Sequence, residues 1–156
     1  MKQLFPYQVE GADFLATRRP AFLFDDMGLG KTAQSIFASQ LVHADTILII
    51  CPATARTNWS REVEDLYGDT IPIAVIRKHR QPIPEGRVVV IMSYEGACMS
   101  ANKNRLMLRQ WDVMIIDEAH YLKSPESKRT AAIFGPDRDG AGGLVERATR
   151  VWPLTG

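Results

Sequence analysis

Six short apolar runs alternate along the chain with stretches of helical periodicity, and this alternation limits the fold more than any other feature. Several runs are rich in Val and Ile and apolar on both faces, which is typical of strands buried in a parallel sheet. The pattern therefore predicts an α/β fold whose mostly parallel sheet is covered by helices on both faces. The predicted strands lie at 21–24, 46–51, 71–76, 87–92, 112–116 and 150–154, and the predicted helices at 7–17, 30–42, 55–66, 95–108 and 126–134.

Helical spacing also indicates which side of a predicted helix faces the core. In the first helix, the predicted core side holds Tyr7, Gly11, Phe14 and Leu15, at positions i, i+4, i+7 and i+8. In the third, Trp59 lies on the apolar side, so we expect it to pack in the core rather than to stack on a base. Thr54 precedes this third helix and is its expected N-cap, because Thr side chains accept hydrogen bonds from the first turn.

Length and composition exclude several classes of protein. The chain has 156 residues, 46% of them hydrophobic and 24% charged, which suits one globular domain with its own core. No apolar run reaches the length of a membrane span, and the N-terminus lacks the apolar core of a signal peptide. We therefore expect no membrane partner and a cytoplasmic setting, or a nuclear one for a eukaryotic source. With 19 Lys and Arg against 18 Asp and Glu, charge alone says nothing about nucleic acid.

Several other segments are interpreted as structural. Cys51 and Cys98 lie in apolar stretches without a CxxC or His/Cys pattern, so we expect buried, reduced thiols and no zinc site. Residues 135–143 hold four Gly and one Pro and predict an exposed loop. The charged run Arg77–Arg80 favours a solvated loop, with a DNA-contacting patch as the alternative. The last strand stops just before Gly156, and we expect this end to be a cut rather than a natural terminus.

The strongest chemical signal is the segment DDMGLGKT, from Asp25 to Thr32, which follows a predicted strand and begins a predicted helix. Gly28 and Gly30 allow backbone N–H groups to turn toward phosphate oxygens, and the helix N-terminus adds partial positive charge. Lys31 would supply a full charge to the β- and γ-phosphates, and the Thr32 hydroxyl a Mg²⁺ ligand. The strict P-loop pattern asks for Gly where this chain has Asp25, so a chance Gly-Lys-Thr in a turn is the alternative.

A second polar segment, Asp117-Glu118-Ala119-His120, follows the apolar run 113–116. Asp117 would hold Mg²⁺, and Glu118 would orient and deprotonate an attacking water. An acidic pair after a strand often only caps the next element, and that is the alternative reading of these residues. The pairing with a phosphate loop favours the chemical role, because ligands of open α/β sheets bind at the carboxyl ends of strands.

Shorter motifs accompany these two segments in a fixed order. With them, the chain resembles the first RecA-like lobe of superfamily 2 helicase-like ATPases of the Swi/Snf type, over nearly its whole length. That family's P-loop also lacks the first glycine, which removes the objection raised by Asp25. The additional motifs are Leu4-Phe5-Pro6-Tyr7-Gln8 as a Q-type motif, Cys51-Pro52-Ala53 with Trp59 and Glu62 as motif Ia, Ser93-Tyr94-Glu95 as motif Ib, Leu122-Lys123-Ser124 after the acidic box, and Leu154-Thr155-Gly156 as the start of motif III.

The resemblance implies a P-loop NTPase with a RecA-like three-layer αβα fold, ATP and Mg²⁺ as ligands, and an ATP-driven translocase on duplex DNA. The residues to which a role carries over are Lys31 and Glu118 for catalysis; Gln8, Met27, Gly28, Leu29, Gly30, Lys31 and Thr32 for the nucleotide, with Gln8 at the adenine; Thr32 and Asp117 for the metal; Pro52, Ala53, Thr54, Ser93 and Tyr94 for DNA; and His120, Thr155 and Gly156 for coupling.

The same resemblance implies what the chain lacks. In the family a second RecA-like lobe supplies arginines to the γ-phosphate, and such arginines are worth about 10³–10⁵ in rate. We therefore expect residues 1–156 to form one ATP-binding lobe that hydrolyses ATP barely or not at all by itself. The short connections resemble those of compact bacterial or phage members of the family and of its annealing-helicase branch. An RNA or restriction-type helicase lobe, and a non-catalytic truncated interaction module, are the alternatives; a small P-loop kinase has no support.

Overall fold

A six-stranded, all-parallel sheet forms the centre of the molecule. The computed structural model describes residues 3–26, 28–124, 127–136 and 142–156. The strand order is β1-β6-β5-β2-β4-β3, and each strand pairs in parallel with its neighbours. The predicted parallel sheet is thus confirmed. The strands are β1 (Leu23–Phe24), β2 (Thr46–Cys51), β3 (Ile73–Ile76), β4 (Val88–Ser93), β5 (Trp111–Ile116) and β6 (Ala148–Thr155).

The described part of the chain contains six α-helices, which connect and cover the strands. They are α1 (Pro6–Thr17), α2 (Lys31–Leu41), α3 (Arg56–Tyr67), α4 (Tyr94–Cys98), α5 (Ser100–Met107) and α6 (Lys128–Phe134). The single helix predicted over 95–108 is therefore wrong, because Met99 between α4 and α5 has an extended backbone, with φ −68° and ψ 124°. The predicted N-cap is also wrong: residues 53–55 form a 3₁₀ turn, Ala55 precedes α3, and no side chain caps that helix.

The helices lie in two layers, one on each face of the sheet. Along β2, Ile47 and Ile49 face a core that contains residues of α1, α2 and α3. Leu48 and Ile50 face a second core, which contains residues of α4, α5 and α6. Alternate strand residues thus supply both cores, as expected for strands buried on both faces, and the three-layer αβα architecture is confirmed.

The buried side of α1 agrees only in part with the predicted one. Leu15 is buried and Gly11 lies against α2, as predicted, whereas Tyr7 and Phe14 are 44% and 38% exposed and Gln8 and Ala12 are buried instead. The reason is the close contact between α1 and α2. At Gly11, an added Cβ would collide with the Oε1 atom of Gln34 on α2. The helix therefore presents its small and amide-bearing residues to α2, and its aromatic residues remain near the surface.

The remaining structural expectations have mixed outcomes. Cys51 is buried but Cys98 is only partly buried, and both thiols are free. Within the predicted loop at 135–143, residues 137–141 lie outside the described residues, and Gly143 is buried rather than exposed. All four residues of the charged run Arg77–Arg80 are exposed, which suits both the solvated loop and the DNA-contacting alternative. No helix in the described part of the chain has the length and hydrophobicity to cross a bilayer.

Candidate nucleotide and metal site

The loop between β1 and α2 has the backbone conformation of a phosphate cradle. Gly28 and Gly30 have φ angles of 88° and 72°, in the left-handed region that favours glycine. At Gly30 an added Cβ would also collide with Nε2 of Gln8. Gly30 is the N-cap of α2, and within the described residues no side chain caps the helix. The first turn of α2 is therefore arranged to receive an anion on its N–H groups.

Lys31 lies inside this loop. Its Nζ donates to the carbonyl oxygens of Asp25 at 2.7 Å and of Asp26 at 3.2 Å. The ammonium group is thus held against the loop backbone, where an anion in the cradle would meet it. Thr32 follows in the first turn of α2 and is partly buried, whereas Met27, the remaining predicted loop residue, lies outside the described residues.

Two glutamine side chains brace the loop at one carbonyl group. Nε2 of Gln8 donates to the Leu29 carbonyl oxygen at 3.3 Å, and Nε2 of Gln34 donates to the same oxygen at 3.0 Å. Gln34 also donates to Oδ2 of Asp25 at 3.1 Å, so it joins the two ends of the loop. Gln8 was predicted from its motif, but Gln34 was missed. Its only sequence signal is a polar residue one turn after Lys31 on a helix that must pack against the sheet.

Asp117, at the carboxyl end of β5, is held from several directions. Its Oδ2 accepts a hydrogen bond from Nε1 of Trp59 at 2.8 Å, and its Oδ1 accepts one from the Glu118 N–H at 3.0 Å. The Tyr94 hydroxyl donates to the Asp117 backbone carbonyl. Burial raises the pKa of the Asp117 carboxyl above its usual range, while the bond from Trp59 and the charge of Lys31 oppose that rise. These contacts fix the carboxylate close enough to Lys31 to feel its charge.

The residues after Asp117 connect the acidic segment to β6. Glu118 has a left-handed backbone, with φ 51°. Its Oε2 lies 3.1 Å from Nδ1 of His120, and the same Nδ1 lies 3.3 Å from Oγ1 of Thr155. Gly156 follows directly, and an added Cβ there would collide with the Asp25 carbonyl oxygen and with Nζ of Lys31. The three predicted coupling residues therefore bridge the acidic segment and the phosphate loop.

The five residues predicted to contact DNA divide into two groups. Pro52 is partly buried, while Ala53 and Thr54 are exposed in the turn before α3. Ser93 and Tyr94 are 5% and 1% exposed. The Ser93 hydroxyl accepts from the Gly96 N–H at 3.0 Å, and the Tyr94 hydroxyl is bonded to Asp117. Residues 52–54 therefore present a surface that DNA could reach. The side chains of Ser93 and Tyr94 are hydrogen-bonded within the chain.

The donor set suits magnesium rather than a metal held by protein ligands alone. No cluster of three or more His, Cys, Asp or Glu side chains with metal-binding geometry occurs in the described residues. Mg²⁺ characteristically keeps several waters and takes one or two carboxylates together with substrate phosphates. Asp117 keeps lone pairs beyond its two hydrogen bonds, and Thr32 lies at the start of the adjacent helix, so the residues fit such an ion.

Comparisons with known proteins agree with this geometry. A family model described as the SNF2-related domain matches residues 7–135. The SWI/SNF-related matrix-associated actin-dependent regulator of chromatin subfamily A-like protein 1 homolog of Caenorhabditis elegans is 33% identical over 135 residues, which cover 83% of this chain and 19% of that protein. The corresponding Drosophila melanogaster protein is 31% identical over 159 residues, covering 99% of this chain and 20% of that protein.

One solved structure extends the comparison to the fold. The Sulfolobus solfataricus SWI2/SNF2 ATPase core in complex with dsDNA has a TM-score of 0.80 at 25% identity, covering 99% of this chain and 32% of that one. This likeness confirms the predicted RecA-like fold class. The chain spans about a fifth of the length of both animal relatives.

Proposed function

The chain belongs to the SNF2-related domain family, as its motifs predicted, and we propose that it is the ATP-binding lobe of an ATP-hydrolysing motor that acts on duplex DNA. One observation carries the proposal. A glycine-lined loop holding Lys31 and a carboxylate pair, Asp117 and Glu118, lie at the carboxyl ends of strands in one sheet, and the end of β6 connects them through its contacts with His120 and Lys31. Enzymes that hydrolyse nucleoside triphosphates combine a loop that binds the phosphates with carboxylates that hold Mg²⁺ and orient water.

Within this proposal each residue has a distinct task. The loop N–H groups and Lys31 bind the phosphates, with Lys31 exchanging its carbonyl partners for phosphate oxygens. Thr32 and Asp117 hold Mg²⁺, which would neutralise charge on the phosphate oxygens when bound. Glu118 orients water and accepts its proton. Gln8 would read the adenine edge, as its motif implies, and its Nε2 would then exchange the Leu29 carbonyl oxygen for the base.

The DNA role is proposed for a smaller surface than the motifs implied. Pro52, Ala53 and Thr54 present backbone and hydroxyl groups at the surface, and such groups contact phosphates without a basic patch. The hydroxyl groups of Ser93 and Tyr94 are hydrogen-bonded within the chain. These two residues would therefore support the DNA-binding surface without contacting DNA through those groups. The Sulfolobus structure contains dsDNA, which favours duplex DNA over RNA as the partner.

We also propose that residues 1–156 act as one of two lobes. The chain covers only 32% of the Sulfolobus ATPase core, and arginines from a second lobe would raise the rate by about 10³–10⁵. Hydrolysis by this chain alone should therefore be very slow, and a second lobe added in trans should increase it. A motor that acts on DNA would be located in the compartment that contains the DNA. The predicted bacterial or phage source has no support from the similar proteins, which come from a nematode, a fly and an archaeon.

Calorimetric titration of the chain with Mg²⁺-ATP tests the proposal, with Lys31→Ala as the variant. Binding by the wild type and its loss in Lys31→Ala are expected, because the variant removes the one full positive charge in the cradle. Equal binding by both proteins would contradict the role of the cradle. Failure of the folded wild type to bind any nucleotide would instead favour the non-catalytic interaction module.

A further inference from the structure

None of the residue roles proposed above uses the buried hydrogen bond between Trp59 and Asp117. Trp59 lies on α3 and is 1% exposed, and its ring belongs to the core on that face of the sheet. Core packing explains the ring but not the direction of its single polar atom. Nε1 donates at 2.8 Å to a carboxylate 58 positions further along the chain, and that carboxylate is the one proposed to hold magnesium.

The arrangement leaves the Asp117 carboxylate little freedom to rotate. One oxygen accepts from Trp59 and the other from the Glu118 N–H. The Tyr94 hydroxyl secures the backbone carbonyl of the same residue. Each carboxylate oxygen has two lone pairs, so both retain acceptor capacity for a cation after these bonds. Hydrogen bonds of this kind, from groups that do not touch the metal, are what orient metal ligands.

We infer that Trp59 is a positioning residue, which fixes the orientation of the Asp117 carboxylate for Mg²⁺ through its indole N–H. The inference rests on the proposed function, since it presumes that Asp117 holds the metal. The inference gives Trp59 a different role from that of Trp111, which is another fully buried tryptophan. The Trp111 Nε1 donates at 3.1 Å to the Leu106 carbonyl oxygen, at the end of β5 opposite Asp117. Trp111 therefore serves as the matched structural control.

Two Phe variants isolate the indole N–H, because Phe retains an aromatic ring but has no donor. Binding of the fluorescent analogue mant-ATP is titrated in excess MgCl₂ and again in EDTA. The ratio of the mant-ATP affinity in MgCl₂ to that in EDTA should be at least about 10-fold smaller for Trp59→Phe than for the wild type. The affinity of Trp59→Phe in EDTA should equal the wild-type value. Trp111→Phe should keep the full Mg²⁺ gain. A full gain in Trp59→Phe, or equal losses in both variants, would overturn the inference.

A spectroscopic readout covers the case in which a variant fails to fold. In ¹⁵N-labelled wild-type protein with ADP, addition of Mg²⁺ should move the Trp59 indole N–H resonance, because its acceptor becomes a metal ligand. The Trp111 resonance should stay in place. An unmoved Trp59 resonance in nucleotide-bound protein would overturn the positioning role, whereas absence of any nucleotide binding would count against the proposed function itself.

Discussion

Strand β5 carries an aspartate at each end, and the two differ in almost every respect except residue type. Asp112, its second residue, accepts hydrogen bonds on Oδ2 from the backbone N–H groups of Asp45 and Thr46, at 2.8 and 3.0 Å. The Asp112 N–H in turn donates to Oγ1 of Thr46 at 3.0 Å. These bonds join the start of β5 to the start of β2, so this carboxylate is part of the connection between two neighbouring strands.

Asp117, just beyond the other end of the strand, has one backbone partner, the Glu118 N–H, and two side-chain partners, with Trp59 on its carboxylate and Tyr94 on its backbone carbonyl. Trp59 and Tyr94 reach it from two separate helices, and burial raises its carboxyl pKa. A raised pKa means that ionisation costs free energy at this position, a cost that an approaching cation would offset. The hydrogen-bond partners of a carboxylate, rather than its place on a strand, therefore distinguish a structural carboxylate from one that can bind a ligand.

The largest effect we expect is on metal-dependent binding after Asp117→Asn. The variant keeps the shape of the side chain but removes the charge that attracts Mg²⁺. The affinity for mant-ATP in MgCl₂ should fall by at least about 10-fold, while the affinity in EDTA should change little. Titration under both conditions measures the difference.

Asp112→Asn is the matched control for that experiment. It removes an equivalent charge at the opposite end of the same strand, so Mg²⁺-dependent binding should stay at the wild-type value. Its cost should appear in chemical denaturation instead, as a loss of about 1 kcal/mol from weaker bonds to two backbone N–H groups. A loss of Mg²⁺ dependence in Asp112→Asn would break the distinction between the two ends.

A smaller effect should follow Gly11→Ala, which tests how the carboxyl-end loop is supported. The added methyl collides with Oε1 of Gln34, and Gln34 is fully buried, so it cannot swing into solvent. Overpacking costs about 1–3 kcal/mol, and the better helix propensity of Ala returns up to about 1 kcal/mol. We expect a net loss of about 1 kcal/mol in denaturation, together with weaker nucleotide binding, because Gln34 braces the Leu29 carbonyl.

The double variant Gly11→Ala with Gln34→Ala separates the two consequences. Removal of the Gln34 amide makes room for the methyl group, so part of the lost stability should return. Nucleotide affinity should stay low, because the brace between Asp25 and Leu29 is displaced in Gly11→Ala and removed in the double variant. If Gly11→Ala alone binds nucleotide as tightly as the wild type, the brace does not support the loop.

Local features of the sequence were sufficient to predict the sheet and the phosphate loop. Alternating apolar runs and a glycine-lysine segment between strand and helix depend on neighbours in sequence, and the structure has both. The errors are also local in origin. Thr54 has the chemistry of an N-cap, but the 3₁₀ turn at Ala53–Ala55 moves the start of α3 to Arg56. The buried side of α1 depends on the contact between Gly11 and Gln34, which helical periodicity does not contain.

The supports of the site could not be predicted, because they join residues far apart in the chain. Trp59 was expected in the core, and it is there, but its bond to Asp117 spans 58 positions. Tyr94 was assigned to DNA, yet its hydroxyl reaches the Asp117 carbonyl, 23 positions away. In both cases the side-chain chemistry was visible and the partner was not. Such partners become known only when the topology brings β2, β4 and β5 together.

The smallest effect concerns two thiols, and it extends the comparison to the neighbouring strand. Cys51 ends β2 and is fully buried; burial, reinforced by the charge of Asp117, raises its pKa to about 12. Cys98 ends α4 and is only partly buried, and burial raises its pKa as well. Iodoacetamide should therefore alkylate Cys98 first in the native chain, and both thiols in denaturant, as mass spectrometry would show. Faster reaction at Cys51 would contradict this order.

The raised pKa of Cys51 also predicts how stability changes with pH. The pKa of an unfolded cysteine is about 8.5, whereas burial raises the pKa of Cys51 in the folded chain to about 12. Between these values the folded chain holds the extra proton, so the free energy of unfolding falls as pH rises, by about 1.4 kcal/mol per pH unit for one full proton. The contribution of Cys51 is complete below this window. Because Tyr and Lys titrate there too, denaturation of wild type is compared with Cys51→Ala, which should lose stability less steeply. Equal slopes would show that Asp117 and its buried surroundings do not hold this thiol in its protonated form.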